Sequence, residues 1–155
     1  MAAPRTAARY ANPHHRLRAT LLRTAAWLKE EADAFLAPHG LTQPQFNILR
    51  ILRGHERRTA DPPGDTLSTK CLRERMLDRA SDTSRLVARL ETRGLVVKRR
   101  SGTDRRRVAV ELTEAGRALL AEVDTRMGAL DAVTGALSDA EATRLADLLD
   151  VLHTA

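Results

Sequence analysis

The sequence predicts a mainly α-helical chain that carries one small β-hairpin. Apolar residues recur at steps of three and four along much of its 155 residues, which is typical of amphipathic helices. Residues 95–112 instead form two alternating runs around a glycine-containing turn. Just before them, residues 81–93 have helical spacing and end at Gly94, a common helix stop. A helix that leads into a hairpin favours a winged helix-turn-helix, here with N- and C-terminal dimerisation helices.

The hairpin is the best-defined element. We predict its first strand over residues 95–100, its tip over 101–104 and its second strand over 105–112. Period-two alternation indicates a half-buried strand, so alternate apolar side chains of the return strand are expected to face the core. These are Val108, Val110 and Leu112.

Two helices are predicted upstream of this region. The first has its apolar positions between residues 17 and 35 and ends near Gly40. The second begins at once, because Thr42 and Gln45 form a capping-box pattern that Leu41 and Phe46 can flank as a hydrophobic staple. The Asp-Pro-Pro-Gly sequence that follows predicts an exposed loop over residues 55–65.

Three more helices follow from their caps. Ser68 is predicted to cap a short helix that runs through Met76. Thr113 is predicted to cap a long helix whose apolar stripe reaches Leu130. Residues 138–141 (SDAE) form a capping box that opens the last helix, with Leu145, Leu148, Leu149 and Leu152 on one side.

These elements suggest three regions. We expect a flexible arm over residues 1–13, a helical dimerisation region over 14–38 and 117–155, and a winged helix-turn-helix DNA-binding domain over 41–116. Terminal helices whose apolar faces have no partner within the chain favour a two-fold homodimer, which would hold two DNA-binding domains at a fixed distance. The alternative is a bundle within one chain that uses up all those faces.

Positive charge is concentrated in one segment. Residues 68–107 hold thirteen Lys or Arg against five acids, a net charge of +8, so the rest of the chain carries −2 of the overall +6. Such a segment attracts the phosphates of double-stranded DNA through counterion release. The alternative is an ordinary solvated basic surface.

The composition also argues against several classes of protein. A single cysteine, Cys71, cannot form an internal disulfide, which predicts a cytoplasmic protein. No apolar run approaches the roughly 20 residues that span a bilayer, so we expect no membrane partner. The five histidines lack the spacing of metal ligands. Neither a glycine-rich phosphate loop nor a local nucleophile–base arrangement is present, so we expect no enzyme, catalytic residue or cofactor.

Three motifs carry a resemblance to a known family. Residues 84–96 (SRLVARLETRGLV), the Asp104-Arg105-Arg106 triplet and residues 110–116 (VELTEAG) together resemble the MarR family of bacterial transcriptional regulators, named for multiple antibiotic resistance. The resemblance implies an obligate dimer with its recognition helix in the major groove and a wing arginine in the minor groove. It also implies, for many members, a small-molecule pocket between the dimerisation and DNA-binding parts. We therefore expect a transcription regulator that occupies a pseudo-palindromic operator as a repressor, or less often an activator, and that a small-molecule ligand can release.

The recognition helix should place Leu86, Val87 and Leu90 in the core, so the opposite face is expected to meet DNA. Short hydroxyl side chains at a helix start permit close approach to phosphate, and an arginine can fork onto a guanine edge. The predicted DNA-contacting residues are Ser81 and Ser84 for phosphates or base edges, Arg85 for bases and Arg89 for the backbone. Asp82 is predicted either to cap the helix or to accept from cytosine. Thr83 leans toward the core and could reach DNA only through its place in the first turn.

In the hairpin, Arg106 matches the family's minor-groove arginine, and Asp104 matches the acid that orients it. Arg105 and Arg107 are predicted DNA contacts on the other face of the strand. A narrow minor groove has enhanced negative potential, so an arginine there recognises shape more than individual bases.

The family resemblance would also place pocket walls at Trp27 and Phe46, for a small aromatic or lipophilic ligand, although either ring could simply be core. Two other functions stay open. One is an architectural DNA or RNA binder without sensing. The other, less favoured, is a thiol-based redox regulator that uses Cys71, because the family's sensor thiols lie in the first helix and Cys71 does not.

Overall fold

The computed structural model describes residues 10–58, 67–76, 82–100 and 108–154. Within these ranges the chain is mainly helical and carries one two-stranded antiparallel sheet, as predicted. The elements in chain order are α1 (Pro13–Leu36), α2 (Gln43–Arg58), α3 (Thr69–Arg75), α4 (Thr83–Thr92), β1 (Val96–Arg100), β2 (Val108–Leu112), α5 (Glu114–Asp124), α6 (Met127–Asp131) and α7 (Asp139–Thr154).

Helix α1 ends where the sequence predicts. After Leu36 the chain makes a single 3₁₀ turn, Ala37–His39, and then adopts the left-handed conformation at Gly40, with φ of +63°. Glycine reaches this conformation without the steric cost that a Cβ atom brings. The chain therefore turns sharply into α2.

The start of α2 confirms the capping-box prediction, and its end does not match the predicted loop. The backbone N–H of Thr42 donates to Oε1 of Gln45 at 3.0 Å, and both staple residues are buried. The helix continues through Arg58, so a loop beginning at His55 was wrong. His55 is 8% exposed, which shows that the apolar side of α2 persists up to the proline-rich sequence. Residues 59–66 lie outside the described ranges.

The hairpin forms at the predicted place, with both strands inside the predicted runs, and residues 105–107 of the predicted second strand lie outside the described ranges. Val96 pairs with Leu112 and Arg100 with Val108. The segment before α3 adds one short pairing, because the N–H of Val110 donates to the carbonyl of Leu67 at 2.8 Å. Ser68 forms an isolated bridge with Ala109.

This extra pairing corrects the predicted alternation of β2. Val110 and Leu112 are buried as expected, but Val108 is 42% exposed and Ala109 is buried. The added segment lies beside Ala109, whereas Val108 pairs with Arg100 at the end of the hairpin next to its tip. Local alternation could not predict this, because the added segment lies about forty positions earlier in the chain.

The long helix predicted from Thr113 to Leu130 is interrupted. Its cap is confirmed, since Oγ1 of Thr113 accepts from the N–H of Gly116 at 3.1 Å. The helix breaks after Asp124, where Thr125 Oγ1 donates to the carbonyl of Glu122 at 2.7 Å and the backbone tightens. Side-chain hydrogen bonds of this kind compete with the backbone hydrogen bonds of a helix. The regular spacing of apolar residues therefore predicted a longer helix than the structure has.

The core lies between α2, α4, α5 and the hairpin. Its fully buried members are Leu36, Ile48, Leu49, Leu72, Val87, Leu90, Val96, Val110, Leu120 and Val123. Helix α7 begins with the predicted capping box, in which the N–H of Ser138 donates to Glu141 Oε2 at 2.9 Å. Among the described helices, none is both long enough and apolar enough to cross a membrane.

Gly116 offers a test of how closely α5 packs on the hairpin. A Cβ atom at this position would lie 2.2 Å from the carbonyl oxygen of Leu95, so backbone must move to admit it. We expect Gly116→Ala to lower the free energy of unfolding by about 1–3 kcal/mol, the usual cost of overpacking. Denaturant titration measures the change.

Gly128→Ala is the matched control, because nothing lies within 4 Å of its added Cβ and it is also helical. We expect that variant to be as stable as wild type or slightly more so. Equal stability of the two variants would contradict the close approach at Gly116.

Candidate nucleic-acid interface

Helix α4 has one buried and one exposed face. Val87 and Leu90 are fully buried and Leu86 packs partly against the core, which confirms the predicted inner face. The outward residues are Ser84, Arg85, Ala88, Arg89 and Thr92. The side chains of Ser84 and Arg89 are exposed and make no hydrogen bond or ion pair with any residue of the described part. Their polar groups are therefore available to a ligand.

The first turn of α4 is organised by Asp82. Its Oδ1 accepts from the backbone N–H of Arg85 at 3.2 Å, so Asp82 is the N-cap, one of its two predicted roles. Its Oδ2 also lies 3.2 Å from Nε of Arg85, whose side chain remains 82% exposed. The carboxylate thus contacts Nε of Arg85 and leaves the outer end of the guanidinium facing solvent. Ser81 lies outside the described ranges.

Thr83 is the one described member of the predicted DNA-contacting set that does not lie on the surface. It is 3% exposed, because its place three and four residues before Leu86 and Val87 turns it toward the core. A buried hydroxyl cannot reach DNA unless the helix start moves. We therefore correct the prediction and assign Thr83 to packing.

The end of α4 is fixed by a glycine and an arginine. Gly94 has φ of +69°, and Leu95 N–H bonds back to the Leu90 carbonyl at 3.0 Å, which closes the helix as predicted. The Arg93 guanidinium donates to the carbonyls of Gly40 at 2.6 Å and His39 at 3.1 Å. Sequence reasoning missed this contact, because nothing local indicates a partner more than fifty residues away.

An ion pair ties the hairpin to α4. Nζ of Lys98 on β1 lies 2.8 Å from Oε2 of Glu91, and the Lys98 backbone N–H donates to the same carboxylate. The hydrogen bond from Lys98 lowers the pKa of Glu91 below its ordinary value. The Glu91 carboxylate is therefore held in its charged form, and its contacts with Lys98 fix the orientation of the hairpin to the helix. On β1, Arg99 also pairs with Glu111 across the sheet at 3.2 Å.

The predicted wing contacts lie outside the described ranges. Asp104, Arg105, Arg106 and Arg107 all fall within residues 101–107, so their roles stay predictions. The described strands β1 and β2 set where this tip begins and ends, next to the exposed side of Val108.

Two ion pairs join α2 to α5. Nη1 of Arg53 lies 2.5 Å from Oδ2 of Asp124, and Nη2 of Arg117 lies 2.9 Å from Oε1 of Glu56. These pairs connect a helix of the predicted DNA-binding domain with the start of the predicted dimerisation region.

The predicted pocket walls have different environments. Phe46 is 6% exposed and belongs to the core, whereas Trp27 is 42% exposed and its Nε1 donates to Glu31 at 3.1 Å. Cys71 is half-buried at the start of α3, and the Ser68 hydroxyl lies 3.2 Å from its sulfur. A shared ligand pocket and a redox role remain predictions.

A solvent-facing cationic helix backed by a packed core and followed by an antiparallel hairpin defines a winged helix-turn-helix protein. The MarR family model matches residues 39–107, which span α2, α3, α4 and β1. This match confirms the resemblance to the MarR family that the sequence motifs carry.

Comparison with individual proteins agrees. The chain is 32% identical over 123 residues to the HTH-type transcriptional regulator TtmR of Methylorubrum extorquens. The aligned residues cover 77% of this chain and 58% of TtmR. It thus spans about three fifths of the length of the curated relatives that it matches.

Solved structures show the same fold. A cysteine-to-serine mutant of E. coli MarR in complex with operator DNA aligns with a TM-score of 0.74 at 22% identity, over 88% of this chain and 93% of that one. CouR from Rhodococcus jostii RHA1, bound to p-coumaroyl-CoA, aligns with a TM-score of 0.70 at 21% identity, over 92% and 95%.

The cap at Asp82 can be tested separately from any ligand. We expect Asp82→Ala to lower the free energy of unfolding by about 1 kcal/mol, because the N–H of Arg85 loses its acceptor. Asp82→Asn keeps an acceptor at the same place and should cost only a few tenths. Chemical denaturation compares the two, and equal losses would show that Asp82 does not act as the cap.

Proposed function

We propose that this protein is a DNA-binding transcriptional regulator that occupies a pseudo-palindromic operator as a homodimer and represses transcription. The observation that carries the proposal is the exposed face of α4, with Ser84, Arg85 and Arg89 on a helix whose other side is locked in the core. A rigid cationic helix of this kind is suited to the major groove.

The two arginines of α4 are proposed to have different tasks. Arg85 lies in the first turn, where an N-terminal side chain can reach base edges, and its guanidinium extends into solvent. Arg89 lies one turn later and is proposed to contact the phosphate backbone, together with Ser84 and Ser81. On the wing, Arg106 is proposed to enter the minor groove, oriented by Asp104 and flanked by Arg105 and Arg107.

Exposed apolar surface supports the homodimer. Leu145, Leu148 and Leu152 on α7 are 46%, 58% and 51% exposed, and Leu22 on α1 is 68% exposed. An intramolecular bundle would have buried these side chains, so that alternative is not favoured. Large contiguous apolar faces are typical of protein–protein contact sites. A second copy of the chain would cover them and set the distance between two α4 helices.

Release by a small aromatic or lipophilic ligand is the finer part of the proposal. A related fold, that of CouR, is known with p-coumaroyl-CoA bound. In this chain the ion pairs of Arg53 and Arg117 connect α2 with α5. A ligand that separates these helices would therefore change the orientation of the proposed DNA-binding domain.

In vitro selection of DNA tests the function as a whole. We expect the purified protein to enrich an inverted repeat whose half-sites lie about 10 base pairs apart. An architectural binder would instead return no motif and show a steep salt dependence with a small ratio of specific to non-specific affinity. Failure to bind any duplex at low ionic strength would rule out both.

Arg85 and Arg106 should respond differently to truncation. Arg85→Ala is expected to relax base preference at one position of each half-site, because a bidentate base contact discriminates by about 1–3 kcal/mol. Arg106→Ala is expected to weaken binding at fixed salt with little change in preferred sequence or in fold stability. Selection with each variant separates the two, and an unchanged wild-type motif with Arg85→Ala would contradict its assignment.

The dimer can be tested on α7. Leu148→Glu places a charge in the exposed apolar face and should shift the protein from dimer to monomer, with loss of operator binding. Thr143→Glu adds the same charge on another side of α7 and should leave the dimer intact. Analytical ultracentrifugation measures both, and a dimer that survives Leu148→Glu would place the interface elsewhere.

A further inference from the structure

A cleft lies between the start of α2 and the second half of α4. It has a volume of about 410 Å³ and opens to solvent, and it is lined by Gly40, Gln45, Ala88, Arg89, Thr92 and Arg93. Ala88 and Thr92 are on the exposed side of α4, so the cleft borders the face that we propose to meet DNA.

The cleft is cationic. Arg89 and Arg93 are both among its lining residues, and none of the described residues that line it is acidic. Arg93 uses Nη1 and Nη2 on backbone carbonyls, which hold the group in place but leave its positive charge uncompensated by a carboxylate. The exposed side chain of Arg89 makes no hydrogen bond or ion pair with a described residue, so it can turn toward an incoming group. Such a site favours an anion.

Gln45 contributes a neutral donor. Its Oε1 is occupied by the N–H of Thr42 at 3.0 Å, which fixes the orientation of the amide. Gln45 lines the cleft, and its amide nitrogen donates to no residue of the described ranges. Gln45 is only 6% exposed, so this donor is presented from a rigid position. Thr92 supplies no comparable donor, because its hydroxyl donates to the carbonyl of Ala88 at 3.0 Å.

We propose that this cleft binds one phosphate of the DNA backbone, with Arg89 and the amide nitrogen of Gln45 as donors and Arg93 as a positioning residue. The proposal rests on the proposed DNA-binding function and adds to it a contact from α2. A phosphate held between α2 and α4 would fix the depth and angle at which α4 enters the major groove. Phosphate contacts of this kind position a protein without reading sequence.

Gln45→Glu is the sharpest test. The carboxylate keeps an acceptor for Thr42 and so preserves the cap, but it replaces the donor with a negative charge next to the phosphate. We expect affinity for a duplex selected in vitro to fall about tenfold, the scale of one charge-assisted hydrogen bond. Fluorescence anisotropy gives the affinity, and denaturant titration should show an unchanged fold.

Ala118→Glu is the control for net charge, because it adds the same charge on an exposed position of α5. We expect it to weaken binding much less than Gln45→Glu. Arg89→Ala provides a test that does not depend on the cap, and it should reduce the slope of log affinity against log salt by about one. Arg89 is exposed, so this variant is expected to fold normally.

Methylphosphonate substitution identifies the phosphate itself. Neutralising one backbone position at a time should reveal one position per half-site at which wild type loses clearly more affinity than Arg89→Ala, in which only Gln45 remains to donate to that phosphate. Equal losses in both proteins at every position, or equal effects of Gln45→Glu and Ala118→Glu, would overturn the proposal and leave the DNA-binding function intact. If wild type binds no duplex, the proposed function itself fails.

Discussion

The structure depends on the burial of one side of α4. Val87 and Leu90 are excluded from solvent among residues of α2, α3 and the hairpin, and this packing decides which side of the helix faces outward. Fully burying aliphatic side chains of this size contributes about 1.5–3 kcal/mol each, far more than any exposed ion pair nearby. The cationic face is thus held by apolar contacts behind it, and the helix can present charge without relying on charge for its position.

Contacts at the two ends of α4 refine that position. Asp82 satisfies an N–H at the start, and Arg93 joins the end to the turn between α1 and α2. Through α2, the ion pairs of Arg53 and Arg117 extend the connection to α5. Helix α4 is thus connected to the helices that we propose to dimerise. Any change in the spacing of those helices would therefore alter the position of the proposed DNA-binding surface.

Local sequence predicted the elements whose causes are local. The caps at Ser68, Thr113 and Ser138 and the glycine stop at Gly94 act within a few residues, and all four were predicted correctly. The two faces of α4 also followed from spacing alone.

The errors arose where distant or competing contacts decide the outcome. Ala109 is buried beside a segment that pairs from elsewhere in the chain, and the break after Asp124 reflects a side-chain hydrogen bond that competes with helical bonding. The Arg93 contact and the α2–α4 cleft join residues remote in sequence, so neither could be predicted from the motifs.

We propose that two copies of this chain place their α4 helices on one DNA duplex. Sedimentation of the protein with a duplex selected in vitro measures the stoichiometry directly. We expect a single complex that contains two chains and one duplex. A complex that contains one chain, or free protein and free DNA side by side at low ionic strength, would contradict it.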